Sequence, residues 1–236
     1  MKISNPETQL ICDEREIYER LLSLDNADVL ELGCGKADKT MAIAKDGKVA
    51  SIVALEVDEI QHAENLMREK PDKVRFGRGG AQAIPADDES FDIVLMFKSL
   101  HHVPVEQMDD AMEEIRRVLR EGGAAYISEP VFAGDFNEIL RLFHDEQRVR
   151  EAAFASVKRA VEAGRLILES QTFFLSPMRF SDFSEFEDKI LKVTHTQHRL
   201  SDALYEEVRQ KFMGHVTTDG AVFHMPIRVD LLRKPA

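Results

Sequence analysis

Between residues 29 and 128 short apolar runs recur, each followed by a stretch of helical periodicity, and few architectures accommodate that alternation. Val29-Leu30-Glu31-Leu32, Ser51–Leu55, Val74–Phe76, Phe91–Phe97 and Ala124–Ser128 read as strands. Helices are predicted over about 39–45, 59–70 and 106–120, the last with Met108, Met112, Ile115 and Leu119 on one face and Gly122-Gly123 as its stop. Strands alternating with helices in this way imply a parallel sheet covered on both faces. Right-handed crossovers then set the strand C-termini along one edge, where open α/β sheets bind ligands. That edge carries Gly33–Lys36, Glu56, Gly79–Gln82, Lys98–His102 and Glu129–Phe132.

One domain is expected over 1–236. An entry helix lies in 1–26, with Ile17, Leu21 and Leu24 at helical spacing, and the sheet core spans 27–130. A helical lid over 131–170 carries Phe136, Ile139, Leu140 and Phe143, then Val149, Ala153, Val157 and Val161. In 171–236 a strand is predicted near 172–175, helices near 183–193 and 201–212, and a last strand over 221–232, where Pro226 suits a bulge or an edge.

A net charge of −12 opposes long-range attraction to nucleic acid or anionic lipid. No run approaches the roughly 20 apolar residues of a membrane span, and the first residues lack a signal-peptide core. Two cysteines, Cys12 and Cys34, make no disulfide framework, so a cytoplasmic location is expected.

The loop after the first strand, Glu31-Leu32-Gly33-Cys34-Gly35, carries the chemistry. Glycines there let a ligand approach the backbone, and the next helix offers unpaired N–H groups. Glu31 stands at the strand end, facing the cleft. Glu56 ends the next strand, where a carboxylate can accept bonds from two ribose hydroxyls. A nicotinamide dinucleotide would also use such an acid, but its fingerprint wants a third glycine where this chain has Asp38. An acid at that helix start repels a pyrophosphate. S-adenosylmethionine, which carries a sulfonium and no phosphate, fits better.

The chain resembles the class I, Rossmann-like S-adenosylmethionine-dependent methyltransferases over roughly 27–130. Val29–Gly35 looks like the family's first motif, which cradles the methionine moiety, and Val53–Val57 like its second, with Glu56 as ribose acceptor and Val57 beside it. Gly79–Pro85 resembles the third, which contacts adenine. Ser90–Val94 with Ser99–Val103, and Ile115–Gly123, are similar to the segments around the fourth strand and the helix after it. The third motif departs at Gly80, where an Asp usually meets the adenine amino group. The Ala81 backbone N–H and the Gln82 side chain are the proposed substitutes, with apolar packing on Val57 and Ile84 as another means. The resemblance implies a doubly wound, mainly parallel seven-stranded α/β sheet, its last strand antiparallel, with a helical lid after strand five. It implies methyl transfer from S-adenosylmethionine, leaving S-adenosylhomocysteine, and the charge points to a small-molecule acceptor. A nicotinamide oxidoreductase and a non-catalytic cofactor-binding regulator are the alternatives.

Methyl transfer from a sulfonium needs alignment and desolvation first, and a base only where the acceptor must lose a proton. His102, His101 and Glu129 are the candidates for that role. Lys98 lies close to the expected sulfonium. A cation there is unfavourable unless an anion sits between, so it signals an anionic acceptor or else points to solvent. Tyr18 and Arg15 are placed to close over the methionine end, or simply to pack the entry helix. No metal is expected, because His195 and His198 lack converging partners.

Overall fold

The computed structural model describes residues 1–45, 48–192 and 200–235. Five strands form its parallel part: β1 (Asp28–Leu32), β2 (Ser51–Glu56), β3 (Val74–Arg78), β4 (Phe91–Phe97) and β5 (Leu119–Pro130). Their order is β3-β2-β1-β4-β5. Next to β5 runs β8 (Gly220–Arg233), antiparallel, and β6 (Ile167–Phe180) pairs antiparallel with β8 at the edge. A two-residue β7 (Val216–Thr217) joins the start of β8. The fold is thus a mainly parallel α/β sheet whose last strand is antiparallel. Strand order reverses between β1 and β4, which makes their C-terminal ends the switch point where such sheets bind ligands.

The period of two decides which residues meet which helices. Leu30, Leu32, Val94, Met96, Ala125 and Ile127 face one layer, made by α4 (Met108–Val118) and α6 (Gln147–Glu162). Val29, Ile93, Leu95, Ala124 and Tyr126 face the other, where α1 (Glu14–Leu21) and α2 (Asp38–Lys45) pack. Burial on both faces explains why these strands read as nearly continuous apolar runs. α3 (Glu59–Leu66) covers the β2–β3 side. Among the described residues no helix is long and apolar enough to cross a membrane.

Two boundaries differ from the sequence reading. α4 ends at Val118, and β5 begins at Leu119 without a turn between them. Gly122-Gly123 therefore lies inside β5, where pairing with β4 jumps from Phe91↔Leu119 to Ile93↔Ala124. Gly122 has φ +69°, and a Cβ on Gly123 would lie 2.8 Å from the Arg120 carbonyl oxygen. The glycines allow a bulge that a helix-stop reading mistakes for a cap.

The second difference concerns the segment 131–170, which divides in two. α6 is a layer helix: Ala153, Val157 and Ala160 sit in the core with α4, and only its first turn reaches the loop after β4. α5 (Asp135–Leu140) instead joins α7 (Phe183–Phe186), α8 (Asp202–Met213) and the projecting ends of β6 and β8. Phe136, Phe180, Phe186, Phe212 and Phe223 pack there with ring centroids 4.9–6.3 Å apart. This aromatic cluster stands beyond the end of β5, because β8 pairs with β5 only up to Ile227↔Pro130 while its pairing with β6 runs on to Ala221↔Phe180. Pro226 lies just past the last β5 pair, where a missing N–H costs no bond to β5.

Candidate functional site

β1 ends in a loop that β2, α3 and the segment after β4 hold in place. Gly33 and Cys34 donate their N–H groups to the Leu55 carbonyl at 2.9 and 3.0 Å, from the end of β2. Gly35 N–H donates to Glu56 Oε2 at 2.7 Å. Asn65 of α3, fully buried, donates from Nδ2 to the Gly35 carbonyl at 2.7 Å. Ser99, after β4, donates to the Leu32 carbonyl at 2.7 Å. Three successive turns of left-handed backbone, at Gly33 (φ +69°), Gly35 (φ +52°) and Ala37 (φ +56°), bend the chain into α2. At Gly33 the approach is also close: a Cβ there would stand 2.7 Å from Ser99 Cβ.

Beneath the loop Glu31 is buried, and Thr40 of α2 donates to its Oε2 at 2.5 Å. Burial pushes its pKa up to about 7, against the lowering effects of the Thr40 bond and Lys39. Cys34 is a packed thiol: burial, then the charges of Glu31 and Glu56, push its pKa up. Glu56 accepts from Gly35, and through Oε1 from the Val57 and Asp58 N–H groups at 2.8 and 3.0 Å. A carboxylate offers about four acceptor sites, so one remains for a ribose hydroxyl; a second requires a backbone donor to let go. Asp38, at the start of α2, is exposed and paired with Arg68 at 3.2 Å. Part of its charge is thereby offset, and the case against a pyrophosphate rests more on the missing glycine than on repulsion.

On the adenine side Val57 is 58% exposed, whereas Ile84 is in the core and has no free surface to offer. Ala81 is buried. A Cβ at Gly80 would run into the Gln82 side-chain amide, so that amide fills the space a residue-80 side chain would take.

Lys98 is not a bare cation. Its Nζ donates to Glu14 Oε2 at 2.5 Å, and Lys39 Nζ lies 3.3 Å from the same oxygen. Glu14 is 2% exposed; burial acts to raise its pKa, but Lys98 and Lys39 outweigh it and hold the carboxyl below its usual range. The anion that Lys98 demands thus belongs to this chain, and the inference of an anionic acceptor loses its ground. Helical spacing on α1, started by the Asp13–Glu16 capping box, turns Glu14, Ile17 and Tyr18 inward together. Tyr18 is consequently a core residue, its ring edge-on to Phe97 at 5.7 Å, and Arg15 pairs with Glu19 at the surface. Glu14 is the side chain of α1 that meets the lysines after β4 and on α2. Replacing it by Gln is expected to cost about 1.5–3 kcal/mol, the range for hydrogen bonds to charged groups, in denaturant unfolding.

After β4 the chain forms a helical turn, Leu100–His102. Glu129 at the end of β5, 1% exposed, accepts from the Leu100 N–H at 2.9 Å and pairs with His101 Nδ1 at 2.5 Å. His101 Nε2 is 3.7 Å from Glu146 Oε1 on the α6 side. Burial opposes a charge on His101, but Glu129 and Glu146 outweigh it and raise its pKa. His102 is exposed, its ring 4.1 Å from that of His101. Glu129 and His101 therefore stand behind His102, which alone of the three faces out. His195 and His198 lie outside the described residues. Thr40, Asn65, Glu14 and Glu146 are the site residues that sequence reasoning missed.

Residues 29–123 match the family model described as "Methyltransferase domain". This match, the relatives and the shared fold together support a class I methyltransferase. Among its relatives in this family, GfsG of Streptomyces halstedii, named a methyltransferase, is 30% identical over 127 residues, 52% of this chain and 45% of that protein. The chain thus spans less than half the length of GfsG. A demethylmenaquinone methyltransferase of Lactobacillus johnsonii is 28% identical over 208 residues, 84% of this chain and 82% of that one. The crystal structure of YcgJ from Bacillus subtilis superposes with a TM-score of 0.64 at 18% identity, covering 94% of this chain and 97% of that chain, which establishes the shared fold.

Proposed function

We propose that this methyltransferase transfers a methyl group from S-adenosylmethionine to a small-molecule acceptor. The observation that carries the reading is the cradle at Gly33–Gly35, where Gly33 stands too close to Ser99 for a side chain, with the Glu31 carboxyl below it and Glu56 across it. The bound cofactor supplies a methyl already activated on a sulfonium. Gly33 and Gly35 give it backbone contact, Glu56 takes a ribose hydroxyl, and Gln82 with the Ala81 N–H meets the adenine edge in place of the acid absent at Gly80. Val57 gives the base an apolar surface.

Glu31 in its ionised form stabilises the cofactor's positive end. Because the folded pKa is raised to about 7, the fold favours the neutral carboxyl. That contribution to stability is complete below the ordinary carboxylate range and is lost as pH rises through about 7, by roughly 3 kcal/mol. Affinity for a cation runs the other way. Adenosylmethionine binding is expected to tighten by up to about tenfold per pH unit below about 7 and to level off above it. Calorimetry across this range should show the slope in the native protein and its loss in Glu31→Gln. A slope that persists in the variant refutes the assignment.

On the acceptor side His102 is the group that touches substrate, while Glu129 and His101 are positioning residues that fix its loop. A cavity of about 220 Å³ opens beside the end of β5, walled by the apolar Val131, Phe173, Leu175 and Pro226 and by the polar Ser4, Asn5, Thr8 and His224. A mainly apolar lining with a few polar groups suits a mostly apolar acceptor of modest size. The quinone-type acceptor in the name of the Lactobacillus johnsonii relative is of that chemical character, and this supports a small molecule. Turnover tests the proposal: incubation with adenosylmethionine and a fractionated metabolite pool should yield adenosylhomocysteine in an acceptor-dependent way. Binding of both cofactor forms without turnover on any fraction would favour a regulator instead.

A further inference from the structure

The turn after β4 and the entry to α6 bring His101, His102 and Glu146 together, with one ligand atom from each lying within 4.8 Å of the others. His101 Nδ1 pairs with Glu129, and its Nε2 faces Glu146 Oε1, 3.7 Å away. That exceeds the usual N–H···O range of roughly 2.7–3.2 Å, so the two atoms share no hydrogen bond and stand at a separation that a shared cation can bridge. Two ligands of one tetrahedral ion, each about 2.0–2.1 Å from it, stand about 3.3 Å apart. The surroundings orient the set. Glu146 Oε2 is held by Arg150 at 2.6 Å, and Oε1 is 3.0 Å from His144 Nε2, which leaves a second lone pair on Oε1. Behind His101, buried Glu129 makes the carboxylate–histidine contact that fixes the tautomer and ring of metal-binding imidazoles. Two carboxylates, Glu129 and Glu146, outweigh the one guanidinium of Arg150.

We propose that His101 Nε2, His102 and Glu146 Oε1 bind one divalent first-row transition ion of the zinc class. Imidazole-rich sets select such ions over magnesium and calcium, which take oxygen donors. Two imidazoles and one carboxylate leave a position open, as in catalytic zinc sites. Since His102 is exposed, that position opens outward. If the methyltransferase reading holds, an acceptor oxygen coordinated there becomes more acidic. Metal binding itself is independent of that reading.

The test uses the untagged full chain, stripped with a chelator and titrated with Co²⁺, without adenosylmethionine. The expected result is one equivalent of cobalt with the strong ligand-field absorption of a four-coordinate site, displaced by Zn²⁺ and not by Mg²⁺. His102→Ala, at an exposed position, and Glu146→Gln should each weaken binding by at least about tenfold, and Glu129→Gln by about 10–100-fold, the usual effect of losing an outer-shell partner. Asp109→Asn, a remote surface control, should leave it unchanged. An unsaturable, featureless cobalt titration, or equal affinity in His102→Ala and the native protein, overturns the proposal. Because the readout needs no cofactor, its failure leaves adenosylmethionine binding to be judged separately.

Discussion

Gly33→Ala is expected to lower stability by about 2–4 kcal/mol and adenosylmethionine affinity by about 10–100-fold more than Gly35→Ala does. Both residues hold positive φ, +69° and +52°, and an L side chain in that region costs about 1–2 kcal/mol. Only at Gly33 is there also a collision, with Ser99 Cβ at 2.7 Å; nothing stands within 4 Å of a Cβ on Gly35. Relieving it means moving either Gly33 or Ser99, and Ser99 is tied to the Leu32 carbonyl. Overpacking of this kind adds about 1–3 kcal/mol, and each 1.4 kcal/mol transferred to binding is about tenfold in affinity. Denaturant unfolding and calorimetry on the two variants measure the difference directly. Equal effects at both positions would mean that backbone conformation alone, and not close approach, requires the glycine.

Glu56→Ala should weaken cofactor binding by about 100-fold or more. The carboxylate accepts from three backbone N–H groups, and one of these, Gly35 N–H, belongs to the cradle itself. Alanine removes the ribose acceptor and also releases the loop from β2. Two charge-assisted bonds at about 1.5–3 kcal/mol each account for the size of the loss. Glu56→Gln keeps the shape and one acceptor oxygen and should fall between. If Glu56→Gln matches alanine, charge is what matters; if Glu56→Ala binds as the native protein does, Glu56 is no part of the cofactor site.

The sheet was legible because β1, β4 and β5 are buried on both faces and so carry apolar runs that helical stretches interrupt. The glycine loop with Glu31 and Glu56 was legible because backbone geometry and strand ends leave marks at fixed spacing. Other features are not local. Glu14 looks like an ordinary exposed helix acid until α1 docks and turns it onto Lys98 and Lys39. Glu146 gains meaning only because α6 packs against α4 and sets its first turn beside His101. Asn65 and Thr40 hold the loop through contacts between elements that no spacing rule records. The bulge at Gly122-Gly123 was misread for a related reason: glycine pairs mark helix stops and bulges alike, and only the pairing with β4 separates the two.

The central claim is that the loop binds S-adenosylmethionine, and one calorimetric series tests it: native chain against adenosylmethionine, adenosylhomocysteine and NAD. The account predicts saturable one-to-one binding of the first two and none of NAD at comparable concentration. Saturable NAD binding with no heat from adenosylmethionine would contradict it.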